Sequence, residues 1–272
     1  MNKITKLLLL ASMGILFTML TFNADAQKLP KVQKIAVRAP SDIKIDGNVA
    51  EWGDNFQAYN SSNYIYYTIS NDDSNLYLTL KTEGSLSSRK FLRGGITFTV
   101  ASISNKKSLV SITFPAVRKS STAEIERLND SPGRYKNFSI DTIANKNKID
   151  SLILSSNRQI KNIFKDILVS GINEITEPLI SIYNEQSIKV SVSFNHKMQL
   201  IYELAVPLRF LGNTAETIGK LKYNIKMNAL ATIAVPGHAD PPTFTNLTDM
   251  KPEYFYLSYD NDFGAEYTLA LK

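Results

Sequence analysis

Short stretches in which apolar and polar residues alternate recur along most of this chain, and they constrain its fold more than any other feature. A side-chain period of two is typical of β-strands that bury one face. Many such strands with few helical segments predict an all-β fold, an antiparallel β-sandwich whose two inner faces carry the apolar positions. The predicted strands cover residues 64–69, 76–80, 96–101, 108–114, 188–194, 200–206, 221–227, 254–259 and 266–271.

Two of these stretches flank a turn. Tyr64 and Tyr66 lie on one face of the first stretch, and Leu76 to Leu80 form the second. The intervening residues, Asn71 to Asn75, are all Asn, Asp or Ser, which tight turns favour. The pattern predicts a β-hairpin.

One segment departs from the alternation. Residues 119–137 are polar and predict a loop, and a run with helical spacing follows (Ile160, Ile163, Phe164, Ile167 and Leu168). Residues 155–157 can cap the start of a helix, and Gly171 suits the position just after its end. We therefore predict one amphipathic helix inserted in the sandwich and packed on it.

The N-terminus has the pattern of a secretory signal peptide. Lys3 and Lys6 precede the mostly apolar stretch Leu7–Phe22, and Ala24-Asp25-Ala26 fits a small-x-small cleavage site. We expect residues 1–26 to be removed, residues 27–40 to form a polar leader, and residues 41–272 to form one domain. The expected location is outside the cell or in a bacterial periplasm, without a transmembrane segment after cleavage.

Composition argues against several functions. The formal net charge of +6 is spread along the chain, with no nucleic-acid-binding motif, so we expect no nucleic-acid partner. There is no Cys, and no nucleophile elbow, zinc-protease motif, phosphate loop or dinucleotide fingerprint is present. We therefore expect a protein that is not an enzyme.

Three motifs occur in order. They are Ile45-Asp46-Gly47-Asn48-Val49-Ala50-Glu51-Trp52, the hairpin from Tyr67 to Leu78, and Tyr202-Glu203-Leu204-Ala205-Val206-Pro207-Leu208. Together they resemble family 9 carbohydrate-binding modules and the related DOMON-like domains. The resemblance implies a β-sandwich that binds carbohydrate. Trp52, the only Trp, is expected to be buried, and Glu203 is expected to be a structural hydrogen-bond acceptor.

Sugar-binding members of that family stack exposed Trp side chains on sugar rings. This chain has no second Trp, so Tyr or Phe would supply the stacking, unless the tyrosines of the first strand only cover the sheet. Tyr64 and Tyr66 are the candidate stacking residues, and Arg89 and Arg93, expected in the loop after the hairpin, are the candidate donors to sugar hydroxyls. The predicted function is a secreted, non-catalytic carbohydrate-binding module. The alternative is a structural or protein-interaction module of the cell envelope, using the sandwich surface or the inserted helix.

No cofactor is expected, with calcium as the one candidate ion. Asp72, Asp73 and Asn75 place hard oxygen ligands in one turn, although tight turns favour the same residues. Some DOMON-like domains bind haem through Met and His. His196 and Met198 are only two residues apart at a predicted turn, which is a poor arrangement for opposite axial ligands.

Overall fold

The computed structural model describes residues 28–53, 55–102, 109–117, 121–131, 134, 143–211, 219–229 and 252–272. Its strands are β1 (Ala58–Asn60), β2 (Ile65–Asn71), β3 (Asn75–Thr82), β4 (Ile96–Ser102), β5 (Leu109–Phe114), β6 (Asp166–Ser170), β7 (Leu179–Ser181), β8 (Lys189–Phe194), β9 (Leu200–Pro207), β10 (Lys220–Met227) and β11 (Asn261–Thr268). Its α-helices are α1 (Gly84–Gly94), α2 (Thr122–Asn129), α3 (Ile143–Ile163) and α4 (Pro252–Ser258).

The strands form two antiparallel sheets, so the predicted β-sandwich is confirmed. One sheet has five strands in the order β1-β2-β3-β9-β8, and the other has six in the order β11-β10-β4-β5-β6-β7. The predicted hairpin is β2–β3, in which Asn71 pairs with Leu76. The expected signal peptide, residues 1–26, lies outside the described residues.

The inner faces of the two sheets share one apolar core. Tyr67 and Leu78 from the five-stranded sheet and Phe98 and Ile225 from the other are almost completely buried in it. The hydroxyls of Tyr67 and Tyr223 are 3.0 Å apart and join the sheets across the core. A buried hydroxyl without a partner would be costly, so this pair keeps two polar groups compatible with an apolar interior.

Side-chain amides cover two edges of the five-stranded sheet. The amide of Gln33, in the leader, donates to the carbonyl of Ile69 and accepts its N–H, at 2.8 and 2.7 Å. The amide of Asn157, in α3, bonds the carbonyl and N–H of Phe194 in the same way, at 2.9 and 2.6 Å. An exposed strand edge can pair with another chain, so these contacts protect the edge and anchor the segments that supply them.

A helix inserted between β5 and β6 is present as predicted, but its bounds differ from the predicted ones. Helix α3 begins at Ile143 and ends at Ile163, and Ile167 and Leu168 belong to strand β6. In β6 the core position Ile167 alternates with the partly exposed Leu168, which is a strand pattern. The window that suggested one helix therefore covers the end of a helix and a whole strand. Gly171 ends the strand, at a positive φ of 80°.

Two other segments are also helical where the sequence predicted something else. Residues 122–129 of the expected loop form α2, with Ile125 and Leu128 buried in the core. The predicted strand at 254–259 is mostly helix α4, which has Pro252 at its first position and Glu253 in its first turn. Both residues favour a helix N-terminus.

The segment from Asp46 to Trp52 covers part of the outer face of the five-stranded sheet. Glu203 Oε2 accepts hydrogen bonds from the N–H groups of Asp46 and Gly47, at 3.1 and 2.8 Å, so its expected role as a structural acceptor is confirmed. Trp52 is buried as expected, but outside the core between the sheets. Glu203 is the register partner of Thr79, near the middle of β3, so this contact lies between the two ends of the outer face.

Candidate functional site

Aromatic side chains gather at one end of that outer face. They are Phe56, Tyr59, Tyr64, Tyr66 and Tyr256, and together we call them the tyrosine cluster. Tyr67 points into the core, so its neighbour Tyr66 points outward. Tyr59 is the register partner of Tyr66 on β1 and lies on the same face. The cluster thus includes both tyrosines predicted from the sequence.

Cross-strand pairing positions the first half of the cluster. The rings of Tyr59 and Tyr66 are 4.6 Å apart, within the range of favourable aromatic contacts. Glu83, just after β3, accepts hydrogen bonds from the hydroxyls of both. Lys81 is the register partner of Tyr66 on β3, and its Nζ lies 4.8 Å from the ring centre of Phe56 and 5.3 Å from that of Tyr66. A carboxylate and an ammonium therefore border the rings.

Tyr64 is held in a rarely occupied backbone conformation. It lies in the turn before β2 with a φ of 52°, so it is not part of the strand on which the sequence placed it. A bulky residue in the left-handed region costs of the order of 1–3 kcal/mol and persists only where its surroundings impose it. Its carbonyl accepts the N–H of Glu83 at 2.7 Å, and its ring meets Tyr256 edge-on at 5.5 Å.

Helix α4 supplies Tyr256, which is fixed from two sides. Its hydroxyl donates to the carbonyl of Asn63 at 2.9 Å. Lys90 of α1 places Nζ 4.3 Å from its ring centre and donates to the carbonyls of Tyr256 and Tyr259, at 2.5 and 2.6 Å. Because these carbonyls are at the C-terminal end of α4, the ammonium interacts favourably with the helix dipole.

Three phenols of the cluster have a raised pKa. Burial raises the pKa of Tyr59, and the hydrogen bond to Glu83 raises it further. Burial and the charge of Glu83 likewise raise the pKa of Tyr66, and burial raises that of Tyr256. Neutral rings next to an anchored carboxylate suit contact with an uncharged polar ligand better than proton transfer.

Three aromatic rings in or beside the cluster face solvent. Tyr64 is 42% exposed, and Phe255 and Tyr259, which flank Tyr256 in sequence, are 39% and 53% exposed. The rings of Phe255 and Tyr259 are stacked, with centres 6.1 Å apart and planes 14° apart. Large exposed apolar groups in one region mark an interaction site more often than single ones do.

The two candidate arginines lie in helix α1 and not in a loop, so that expectation was wrong. Arg93 forms an ion pair with Glu126 of α2 at 2.9 Å, so its guanidinium already has a partner that is not part of the tyrosine cluster. Arg89 is exposed on the same helix, four residues earlier, and therefore on the same face as Arg93. Among the described residues, the charged groups that contact rings of the cluster are Lys81, Glu83 and Lys90.

The candidate calcium residues already have protein partners. Asp72 Oδ1 accepts the N–H groups of Ser74 and Asn75 at 2.7 and 2.6 Å, and Oδ2 accepts the Tyr77 hydroxyl at 2.5 Å. Burial opposes ionisation of Asp72, but these hydrogen bonds outweigh it and lower its pKa.

Asp73 forms ion pairs with Arg38 at 2.6 Å and Lys272 at 2.7 Å. These contacts support the turn-stabilising role that the sequence also suggested. Within the described ranges, no group of three or more His, Cys, Asp or Glu side chains is arranged to hold a metal ion.

The sequence did not point to Tyr59, Tyr256, Phe255 or Tyr259. Tyr59 had a local signal, since Asn60-Ser-Ser-Asn63 separates it from the alternating run that begins at Tyr64 and suggests a hairpin turn. The other three are almost 200 residues away in the chain and lie in a segment predicted as a strand. Only the docking of α4 against α1 brings them to the site.

Comparisons of the chain with protein-family models, with curated proteins and with solved structures found no match. The resemblance to family 9 carbohydrate-binding modules and DOMON-like domains therefore stays a prediction from the motifs. Across the residues that the structure describes, no helix is long and apolar enough to cross a membrane.

Proposed function

We propose that this protein is a non-catalytic binding module for carbohydrate and that the tyrosine cluster holds the sugar. The observation that carries the proposal is one group of aromatic rings in which the partly exposed Tyr59 and Tyr66 lie beside Glu83 and Lys81, next to the more exposed Tyr64. Sugar rings present patches of C–H groups that pack on aromatic faces, and their hydroxyls need polar partners. The site offers both kinds of contact.

The rigidity of the site supports the same proposal. The surrounding structure holds Tyr64 in a strained backbone conformation. Tyr66 is fixed by strand pairing and by its hydrogen bond to Glu83. A surface whose side chains are already ordered loses less entropy when it binds a ligand. A carboxylate has about four acceptor positions, so Glu83 can accept a sugar hydroxyl in addition to the two tyrosine hydroxyls.

Binding of this kind requires no bond chemistry, in keeping with the absence of enzyme motifs from the sequence. We extend the proposal to location: residues 1–26 direct export and are removed, and the module acts outside the cell or in the periplasm. Expression with the natural N-terminus followed by N-terminal sequencing tests this. A mature chain that begins at Gln27 supports it, and an intact N-terminus in the exported fraction contradicts it.

The binding proposal is tested by a thermal-shift screen of the purified protein against mono- and oligosaccharides, each with and without calcium. A ligand that binds only the folded state, at about 100 times its dissociation constant, adds roughly 2.7 kcal/mol of stability. We expect a saturable increase in Tm with at least one sugar. The increase should be lost in Tyr64→Ala and Tyr66→Ala.

Tyr183→Ala is the matched control, because Tyr183 is 80% exposed and belongs to the loop after β7. It should respond to the sugar as the wild type does. A flat response of the wild type to every sugar refutes the proposal. A response that survives both cluster substitutions means that the site is elsewhere.

The alternative, a structural or protein-interaction module, would use the sandwich surface or the inserted helix, and an exposed apolar patch around residues 160–168 would favour it. In the structure the side chains of Ile160, Phe164 and Ile167 are at most 4% exposed and pack in the core. This region therefore does not offer such a patch. The alternative is therefore favoured only if the sugar screen is flat, in which case pull-down experiments follow.

A further inference from the structure

A cleft lies on the same outer face, at the end opposite the tyrosine cluster. It is a cleft of about 540 Å³ between the chain near Lys44 and the ends of strands β3, β8 and β9. Tyr77 lines it, four residues before Lys81 on β3, which corresponds to about 13 Å along the strand. Asp46 and Gly47 bond Glu203, the register partner of Thr79, which lies between Tyr77 and Lys81 on β3, so the two sites are separate.

The residues around the cleft give it a positive charge. Lys44, Lys189 and Arg209 all line it, and no Asp or Glu is among its lining residues. All three cations are exposed. In the part of the chain that the structure describes, neither lysine forms an ion pair with a carboxylate. Like charges held close together repel one another, and binding an anion relieves that repulsion.

One of the cations is also held in place. The Arg209 guanidinium donates one hydrogen bond to the carbonyl of Gln186, at 2.9 Å, and lies 4.5 Å from the ring centre of Phe210. A guanidinium has five N–H donors in a fixed plane, so most of them remain to bind an oxyanion, in the paired geometry that carboxylate, sulfate and phosphate share.

One carboxylate beside the cleft, that of Asp72, is already engaged by residues of the lining. Asp72 uses its oxygens for the N–H groups of Ser74 and Asn75 and for the hydroxyl of Tyr77. The lining also contains neutral groups, including the side chains of Asn75 and Ser187. The volume is within the range of small-molecule sites, roughly 300–1,000 Å³.

We propose that this cleft binds a small anionic ligand through a carboxylate, sulfate or phosphate group, with Lys44, Lys189 and Arg209 as the residues that hold it. The inference is independent of carbohydrate binding at the tyrosine cluster, since it uses none of the residues of that cluster. It adds a second site, of different chemistry, on the same face of the protein.

Isothermal titration of the purified protein with sodium sulfate, sodium phosphate and sodium glucuronate tests this. Each is measured against sodium chloride at equal ionic strength, with glucose as the uncharged comparison. We expect saturable binding of at least one oxyanion, and at least tenfold weaker binding by the double variant Lys44→Gln/Lys189→Gln. Both lysines are exposed, so this variant should fold normally, which its Tm verifies.

The matched control is Lys220→Gln/Lys222→Gln, which removes the same charge from exposed positions on β10, in the other sheet. It should bind within about twofold of the wild type. Tighter binding of glucuronate than of both inorganic ions identifies an organic acid as the ligand class, and the reverse order identifies an inorganic oxyanion. The proposal is overturned if no oxyanion binds more tightly than chloride, or if both double variants lose affinity equally. Tyr64→Ala should bind the anion normally, so failure at one site does not imply failure at the other.

Discussion

Replacing Lys90 by methionine removes a buried positive charge from the contact between helices α1 and α4. The side chain of Lys90 is completely buried, and its Nζ is held by two carbonyls and the ring of Tyr256. Burial lowers its pKa from the usual 10.5 to about 8, and the charge of Asp260 opposes that shift. Folding therefore stabilises the neutral amine relative to the ammonium.

The direction of the pH effect follows from this shift. Between pH 8 and 10.5 the unfolded chain keeps the proton on this lysine while the folded protein has released it. Stability rises with pH wherever the unfolded state binds more protons. The cost of burying the charge is thus fully present below about pH 8, and it disappears as the pH approaches 10.5, the pKa of this lysine in the unfolded chain.

The size of the effect comes from the same two pKa values. Between about pH 7 and about pH 9.5, the wild type should gain roughly 2 kcal/mol of unfolding free energy relative to Lys90→Met. Other titrating groups, including the tyrosines, are present in both proteins and cancel in the difference. Urea unfolding followed by circular dichroism at the two pH values measures it.

Lys161→Met is the control, because Lys161 is an exposed lysine in α3. Its stability should change with pH in parallel with the wild type. A difference between wild type and Lys90→Met that stays constant from about pH 7 to 9.5 would refute the reasoning, since it would mean that Lys90 titrates alike in the folded and unfolded states.

Three further predictions concern single positions. Burial raises the pKa of Glu203 to about 8, so the folded state holds the carboxyl proton more tightly than the unfolded chain does. Between about pH 5 and 8, the wild type should therefore lose roughly 3 kcal/mol of unfolding free energy relative to Glu203→Gln, as measured by urea unfolding at each pH. Equal pH profiles would contradict this. A Cβ on Gly171 would lie 1.8 Å from a carbonyl oxygen of β5, so Gly171→Ala should lower Tm far more than Gly84→Ala, where φ is also positive but nothing lies within 4 Å. An equal decrease in Tm at the two glycines would mean that backbone strain alone, and not the steric clash, sets the loss of stability. The buried hydroxyl of Tyr202 has no hydrogen-bond partner in the described structure, so Tyr202→Phe should leave stability unchanged or raise it, whereas Tyr67→Phe should cost about 1 kcal/mol. A large loss in Tyr202→Phe would show that its hydroxyl is satisfied.

Strand positions were largely readable from the sequence, because they depend on local alternation. Leu76, Leu78 and Leu80 face the core as their spacing predicts, and Asn71 to Asn75 form the hairpin turn. The role of Glu203 was also anticipated. In these cases the signal lies within a few residues of the structure that it specifies.

Where helix and strand meet, the local signal was ambiguous. Ile160, Ile163 and Phe164 have helical spacing, and Ile167 and Val169 have strand spacing, yet all are apolar and close together. Pairing of β6 with β5 and β7 decides where the helix ends, and that pairing is made with distant segments. A short apolar run can satisfy either period until its partners are known.

The sequence by itself determined an all-β protein with a hairpin whose first strand carries Tyr66, and it singled out Tyr64 as a neighbouring aromatic group. Only the tertiary structure decided what these residues contact. Tyr64 contacts Tyr256 because α4 docks on Lys90. The three cations line one cleft because β8, the end of β9 and the chain near Lys44 lie side by side. The physical reason is that periodicity is a property of neighbouring residues. Which distant residues share a site is set by strand order and by burial of the whole chain.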